Sequence, residues 1–209
     1  RRVAGRRVTS SSDLAVAVQV WRGDLSAKWV GALHVQGVSA VGLCGADGAL
    51  LQAHKRPPVR MKDADGKAIE VDFGRVGDLD RVNVGVLNAL LAANMTPVVS
   101  PLAMDSQGDL LNVNADTVAA AVSAELTADC LTMLSAIPGV LSDVENPDSR
   151  IARISTDEIP LLIRDGVLKG GMLPKVAAIE KAIQSGLSRA FILDGRRSDV
   201  ISDAVLGNS

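Results

Sequence analysis

Aromatic side chains are almost missing from this chain. They make up 2% of its 209 residues, and there is no Tyr. A core without large rings has to be built from Val, Leu, Ile and Ala, the set found in parallel strands covered by helices. Stacking platforms for nucleic acid are missing too. The net charge is −2, so there is no general basic face, and no nucleic-acid partner is expected. Cysteine is scarce. Cys44 and Cys130 lie far apart in apolar segments, which reads as buried free thiols in a reducing compartment. His34 and His54 form no Cys/His set with metal-ligand spacing. No apolar run reaches the roughly 18–20 residues of a membrane span. No signal-peptide pattern is present. A cytoplasmic protein with no membrane partner is expected. There is no Walker A pattern and no G-x-S-x-G elbow, which argues against P-loop and nucleophilic hydrolase chemistry. The first residue is Arg1 rather than Met, and residues upstream of it are expected.

What is present is an apolar content of 47%, enough for a substantial core. The length suits one large or two small domains. Helical and strand patterns alternate, which predicts an α/β class. Ser10-Ser11-Ser12-Asp13 reads as an N-cap cluster before a helix at 14–21, which Gly23 and Asp24 are expected to break. A second helix follows at 26–35, stopped by Gly37. A buried strand at 38–43 leads into a tight turn at 45–48. Strands are predicted at 49–54, 59–62 and 67–72, the last two as a hairpin about Asp63-Ala64-Asp65-Gly66. A helix at 84–93, a strand at 97–100 and a turn at 107–109 come next, then a long helix at 117–126. Beyond a boundary near Ala128 the pattern is a strand at 131–135, a loop at 138–141 and a helix to about Arg164. Ser155 and Glu158 open that helix with capping-box spacing. A flexible loop at 169–172, a helix at 175–185 and a strand at 189–193 complete the chain.

Three groups of residues carry candidate chemistry. Asn112, Asn114 and Asp116 alternate, so in an extended segment they share one face. A helix cap explains one of these polar groups; a ligand site explains all three. Gly170 and Gly171 allow a backbone to approach a phosphate and donate N–H groups to it. Lys175 stands near the start of the following helix, where an anion is favoured. A solvated lysine in an ordinary loop is the simpler alternative. Arg7, in Arg6-Arg7-Val8-Thr9, has the planar fork that grips a carboxylate with two parallel bonds; plain surface charge is its alternative.

Taken in order, these segments resemble the amino-acid kinase family, and within it the enzymes that phosphorylate N-acetylglutamate. The resemblance rests on R-V-T at Arg7 to Thr9, V-G-L-C-G-A-D-G at Val41 to Gly48 and V-G-D-L at Val76 to Leu79. It continues with N-V-N-A-D-T at Asn112 to Thr117, L-S-A-I-P-G-V-L at Leu134 to Leu141 and G-G-M-L-P-K at Gly170 to Lys175. It implies an open αβα sandwich with a mostly parallel central sheet, two lobes and a β-hairpin region. The N-terminal lobe, 1–128, would bind the acylated amino acid and form a homodimer or higher homo-oligomer. The C-terminal lobe, 129–209, would bind ATP. The implied reaction moves the γ-phosphoryl group of ATP to the side-chain carboxylate of N-acetylglutamate, in arginine biosynthesis, with Mg²⁺ arriving on the nucleotide. Arg7, Asn112 and Asn114 would hold the substrate, Lys175 would stabilise the transferring group, and Asp116 would orient lysines. Ser135, Ala136, Gly139, Lys169, Gly170, Gly171 and Met172 would line the nucleotide. The family's Lys-x-Gly-Gly strand and following Gly-rich loop, which precede R-V-T, are absent here. Ala136 stands where the family often has Asp, and Ser26-Ala27 replaces an Asn-Lys pair. A kinase for a close analogue, N-succinylglutamate or a carrier-linked aminoadipate, is the alternative substrate reading. A non-catalytic amino-acid sensor is the alternative if no lysine lies upstream.

Overall fold

Ser10 starts the first helix with its own side chain. Its hydroxyl accepts a hydrogen bond from the Asp13 N–H at 3.1 Å, and the Asp13 carboxylate accepts one from the Ser10 N–H at 2.9 Å. This reciprocal cap satisfies donors that a helix terminus otherwise leaves open. In the computed structural model, residues 2–3, 6–62, 66–146 and 148–206 are described, with backbone alone at 2, 3, 6, 7, 62, 203, 205 and 206. The chain divides into two units, Arg1–Val118 and Ala119–Ser209.

The first unit opens with the antiparallel pair β1 (Arg2–Val3) and β2 (Arg6–Arg7). Helix α1 (Ser11–Val18) follows. The expected break at Gly23 and Asp24 does not occur. The helix widens into a π-helical segment, Gln19–Leu25, and runs on as α2 (Ser26–Val35). A glycine inside a helix costs roughly 1 kcal/mol, and contacts made by the same stretch offset it. Leu14, Val18 and Trp21 pack with Cys44 and Leu102. The Arg22 guanidinium donates to Asp47 at 2.8 Å and to the Cys44 sulfur at 2.6 Å. A chain broken at Gly23 would lose that row of contacts.

Among the described residues of this unit, eight strands, one α-helix and a short 3-10 turn at Asp47–Ala49 follow. The strands and the α-helix are β3 (Ala40–Cys44), β4 (Leu51–Lys55), β5 (Val59–Lys62), β6 (Ala68–Val71), β7 (Gly77–Val82), α3 (Gly85–Ala92), β8 (Thr96–Ser100), β9 (Leu102–Met104) and β10 (Leu110–Asn112). β3 and β8 pair in parallel, from Ala40 opposite Thr96 to Cys44 opposite Ser100. A second sheet has the order β10-β9-β4-β7 and is antiparallel except where Gln52 meets Met104. β5 and β6 form the expected hairpin; its turn at 63–65 lies outside the described residues. The strands β7 and β9 were not expected. β7 mixes charged and apolar residues, with Gly77 and Val82 buried and Asp80 and Arg81 exposed, as a half-solvated antiparallel strand does. Leu50, Leu51, Leu87, Leu102 and Leu111 are almost completely buried, so aliphatic side chains fill the core as the composition requires.

Between β6 and β7 the chain passes Thr9. The Thr9 N–H donates to the Phe73 carbonyl at 3.0 Å, and the Arg75 N–H donates to the Thr9 carbonyl at 2.7 Å. Gly74 lies between these bonds at φ +72°, and a Cβ there would sit 2.2 Å from the Thr9 carbonyl oxygen. Only glycine fits, for both conformational and steric reasons.

Helix α4 (Ala115–Glu125) carries the chain into the second unit. There β11 (Leu131–Ser135), α5 (Ile159–Arg164), α6 (Met172–Gln184), β12 (Ala190–Asp194) and α7 (Val200–Leu206) follow. β11 and β12 pair in parallel over their whole length, from Leu131 opposite Ala190 to Ser135 opposite Asp194. Leu131 and Met133 of β11 pack on Ala120, Ala178, Ala182 and Leu187; the small alanines allow helices to approach the strand closely. Ser155 and Glu158 do bond, at 2.7 Å from the Ser155 N–H, but α5 starts only after them. Helix α7 was not expected. The architecture is the predicted α/β class, with parallel strand pairs and covering helices. Replacing Gly74 with Ala should destabilise the protein by about 2 kcal/mol or more, read as a lower urea midpoint with unchanged m-value. A loss under about 0.5 kcal/mol would show that Thr9 and the 73–75 segment separate easily.

Candidate active site

The N-V-N motif meets the R-V-T motif. Asn112 ends β10, and its side-chain N–H₂ donates to the Thr9 hydroxyl at 3.0 Å. The backbone joins the same two places, since the Asn112 N–H donates to the Arg75 carbonyl at 2.9 Å and Arg75 in turn donates to Thr9. Thr9 is 3% exposed. A hydroxyl buried that deeply needs a partner, and Asn112 supplies it. Arg7 has its backbone in β2, two residues before Thr9; its side chain lies outside the described residues. Asn114 is exposed and caps α4. Its carbonyl oxygen accepts from the Thr117 N–H at 2.9 Å, which leaves its amide N–H₂ as a donor. Asp116 is half-buried in the first turn of that helix. Asn112 and Asn114 therefore serve different ends within the first unit.

The other predicted residues belong to the second unit. Ser135 is the last residue of β11, and Ala136 follows it exposed. The Gly195 N–H donates to the Ser135 carbonyl at 2.8 Å, which fastens the turns that leave β11 and β12 to each other. Gly139 turns beside β12, where a side chain would come within 3.7 Å of the Ile192 carbonyl. Val140, Leu168 and Val176 form one apolar cluster, and Met172 and Ile192 pack on it. That floor gathers Gly139, the 169–172 turn and the start of α6 in one place. The segment at 169–172 is no loose loop. Gly170 has φ +57°, the Met172 N–H bonds back to the Lys169 carbonyl at 3.2 Å, and α6 begins at Met172. Lys175 therefore stands in the first helical turn, with Pro174 where no intrahelical N–H is needed. Its ammonium lies 3.9 Å from the Met133 sulfur, beside the middle of β11.

One residue of this region escaped the sequence reading. Asp194 ends β12 with its side chain only 13% exposed. Its carboxylate accepts two bonds from the Arg196 guanidinium, at 2.8 and 2.7 Å, and one from the Arg196 N–H at 3.1 Å. These bonds hold the Asp194 carboxyl at about 2, against an ordinary 3.8. The Asp194-Gly195-Arg196 turn following a β-rich stretch was the available signal. Thr9 and Arg75 were likewise passed over as individual residues. Among the described residues no three His, Cys, Asp or Glu side chains gather as a metal site, and no described helix is long and apolar enough to cross a membrane.

Ligands of open α/β sheets bind beyond the carboxyl ends of parallel strands. Ser135 and Asp194 stand at such ends, and the fold is that of an α/β protein with open parallel strand pairs. The model of the amino acid kinase family matches residues 1–194. The acetylglutamate kinase of Methanosphaera stadtmanae is 40% identical over 194 residues, covering 93% of this chain and 65% of that protein. That of Methanopyrus kandleri is 41% identical over 192 residues, covering 92% of this chain and 76% of that one. Among solved structures, smu.665 from Streptococcus mutans superposes with a TM-score of 0.76 at 26% identity, over 93% of this chain and 73% of that chain. N-acetylglutamate synthase from Neisseria gonorrhoeae, with coenzyme A and N-acetyl-glutamate, gives 0.73 at 23% identity, over 97% of this chain and 43% of that one; this last is a likeness of fold. The chain belongs to the amino acid kinase family. It spans 65% of the length of the first of these relatives and 76% of the second.

The Asp194 pair has a consequence in acid. Its folded pKa of about 2 lies below the ordinary 3.8. The stabilisation is therefore complete above the unfolded value and is lost as pH falls through the folded one. A carboxyl carbon titration by NMR should give Asp194 a midpoint near 2. Arg196→Gln should return it towards 3.8, and an unmoved midpoint would show that Arg196 is not the cause.

Proposed function

We propose that this chain is the larger part of a kinase that moves the γ-phosphoryl group of ATP to the side-chain carboxylate of N-acetylglutamate, a step of arginine biosynthesis in the cytoplasm. The observation that carries the reading is the Thr9–Asn112 bond at 3.0 Å, which closes R-V-T onto N-V-N across 103 residues. The names of the 40%-identical relatives supply the substrate. Arg7 would clamp a substrate carboxylate bidentately, as a planar guanidinium favours. Asn112 and the amide N–H₂ of Asn114 would donate to the acylated amino acid. These residues belong to an N-terminal lobe placed at 1–128.

The C-terminal lobe, at 129–209, would take the nucleotide. Ser135, Ala136 and Gly139 would face it from the end of β11, and Lys169, Gly170, Gly171 and Met172 from the entry to α6. The adjacent glycines Gly170 and Gly171 would let the backbone approach the phosphates and donate N–H groups to them. Phosphoryl transfer asks for positioning and charge stabilisation more than covalent help. In the reaction a substrate carboxylate oxygen bonds to the γ-phosphorus while the bond to the β–γ bridging oxygen breaks. ADP leaves and an acyl phosphate remains. Lys175 would stabilise charge on the moving group, and Asp116 would orient lysines around it. Mg²⁺ would arrive on the ATP phosphates and spread their charge. The protein would act as a homodimer or higher homo-oligomer.

An ADP-release assay on the full-length protein across N-acetylglutamate, N-succinylglutamate, glutamate and aspartate tests the reading. N-acetylglutamate should be preferred; turnover of none of the four would overturn the kinase assignment. Lys175→Ala should lower kcat about 100-fold or more with a smaller change in KM. An unchanged kcat would sink that role. Arg7→Ala should chiefly raise KM for the acylated amino acid, whereas a rise confined to the KM of ATP would contradict the clamp.

A further inference from the structure

Arg75 lies between the two motifs assigned to the acylated amino acid, and both of its backbone groups are committed to them. Its N–H donates to the Thr9 carbonyl at 2.7 Å, and its carbonyl accepts from the Asn112 N–H at 2.9 Å. The side chain then repeats the link at longer range. The Nη1 group donates to the Asp109 carboxylate at 2.8 Å, three residues before Asn112. The Nε group lies 3.5 Å from the Ser11 hydroxyl, two residues beyond Thr9. Asp109 is itself fixed, because its N–H donates to the Asp105 carboxylate at 2.9 Å and its carbonyl accepts from the Asp105 N–H at 3.0 Å. The β9–β10 turn is therefore a rigid arm, and the guanidinium ties that arm to the first turn of α1.

We propose that Arg75 is a positioning residue that sets the distance between the Arg7–Thr9 segment and Asn112, and so the affinity for the acylated amino acid. This rests on the substrate reading above. A backbone bond alone fixes two strands at one point and leaves a hinge about it. A second link, displaced along both segments, removes the hinge. Arg suits the task because its guanidinium donates in two directions from one rigid plane. Lysine offers a single charged nitrogen and could hold Asp109 or Ser11 in turn. The nearest positive charge to Thr9 along this segment is thus spent on geometry, and the ligand contacts fall to Arg7 and Asn112.

The test uses the full-length protein and three variants: Arg75→Gln, Arg75→Lys and Asp109→Asn. Arg75→Gln and Asp109→Asn should each raise KM for N-acetylglutamate about two- to five-fold, the range an exposed ion pair supports. The double variant should do no more than either alone. The KM for ATP and kcat should stay within about two-fold, and Arg75→Lys should recover part of the effect. Equal rises in both KM values would indicate general destabilisation and overturn the proposal. Amide exchange followed by mass spectrometry gives a second readout that needs no activity. In Arg75→Gln, peptides around 8–13 and 109–116 should exchange faster together, with those of β3 and β8 unchanged. No change in either, or a change in one alone, refutes the positioning role even if the wild-type protein turns over none of the four amino acids. That inactivity, with coupled exchange intact, would count against the substrate assignment and leave Arg75 as a clamp.

Discussion

The first unit depends on one seating: Thr9 against the segment from Phe73 to Arg75. Both backbone groups of Thr9 are used there, at 3.0 and 2.7 Å. Buried peptide groups must find partners somewhere, and this segment provides them in strand-like register without being part of a regular strand. The apolar cluster of Phe73, Val71 and Val76 anchors it from below, with Val8 packed on it. Arg56 stacks over the Phe73 ring at 5.8 Å and binds Asp78 through two donors. Once Thr9 is placed, Arg7 is two residues away, Asn112 is within reach, and α1 starts immediately afterwards from its cap at Ser10. Candidate substrate chemistry and the start of the helical layer thus share one origin.

The two units reach their sites differently. In the first, a long-range bond holds Asn112 on Thr9, and Asn114 and Asp116 stand at the start of α4. In the second, an apolar floor of Val140, Leu168 and Val176 does the gathering, and the polar groups stand above it on turns. Such a floor fixes the backbone of the turns that carry Gly139, Gly170 and Gly171. That suits a phosphate-rich ligand, which is recognised by many donors more than by any one side chain. The Asp194–Arg196 pair is the exception, a tight charge-assisted clamp at a strand end.

Much of this was legible in the sequence. The parallel strands at β3, β8 and β11 are short aliphatic runs flanked by turn residues; β11 was found at its observed bounds, and β3 and β8 within two positions. Gly37 and Gly166 stop their helices as expected, at φ +77° and +74°. Legibility failed where tertiary contacts outweigh a local preference. Gly23 reads as a breaker because its propensity is poor, yet Trp21 and Arg22 just before it hold the helix to the strand layer. β9 has three residues after a proline, too few for any periodicity. Asn112 and Asn114 look alike in sequence. They differ in structure because one ends a strand and the other opens a helix, a distinction that requires the boundary at Val113. The partnership of Thr9 with Asn112 had no local signal, since it spans 103 residues.

The π-helical segment Gln19–Leu25 shows how the first helix keeps faith with its sheet. In a regular α-helix a row of every fourth residue drifts around the axis, because the turn holds 3.6 residues. Hydrogen bonds that reach five residues back widen the turn and cancel the drift. Leu14, Val18, Arg22 and Ser26 therefore stay on one line towards the strands: Leu14 and Val18 in the apolar cluster, Arg22 on Asp47, and Ser26 against the bare backbone of Gly42. A widened turn is also what a helix becomes when it absorbs an extra residue without breaking. The stretch thus joins two helices end to end while a single face meets the sheet.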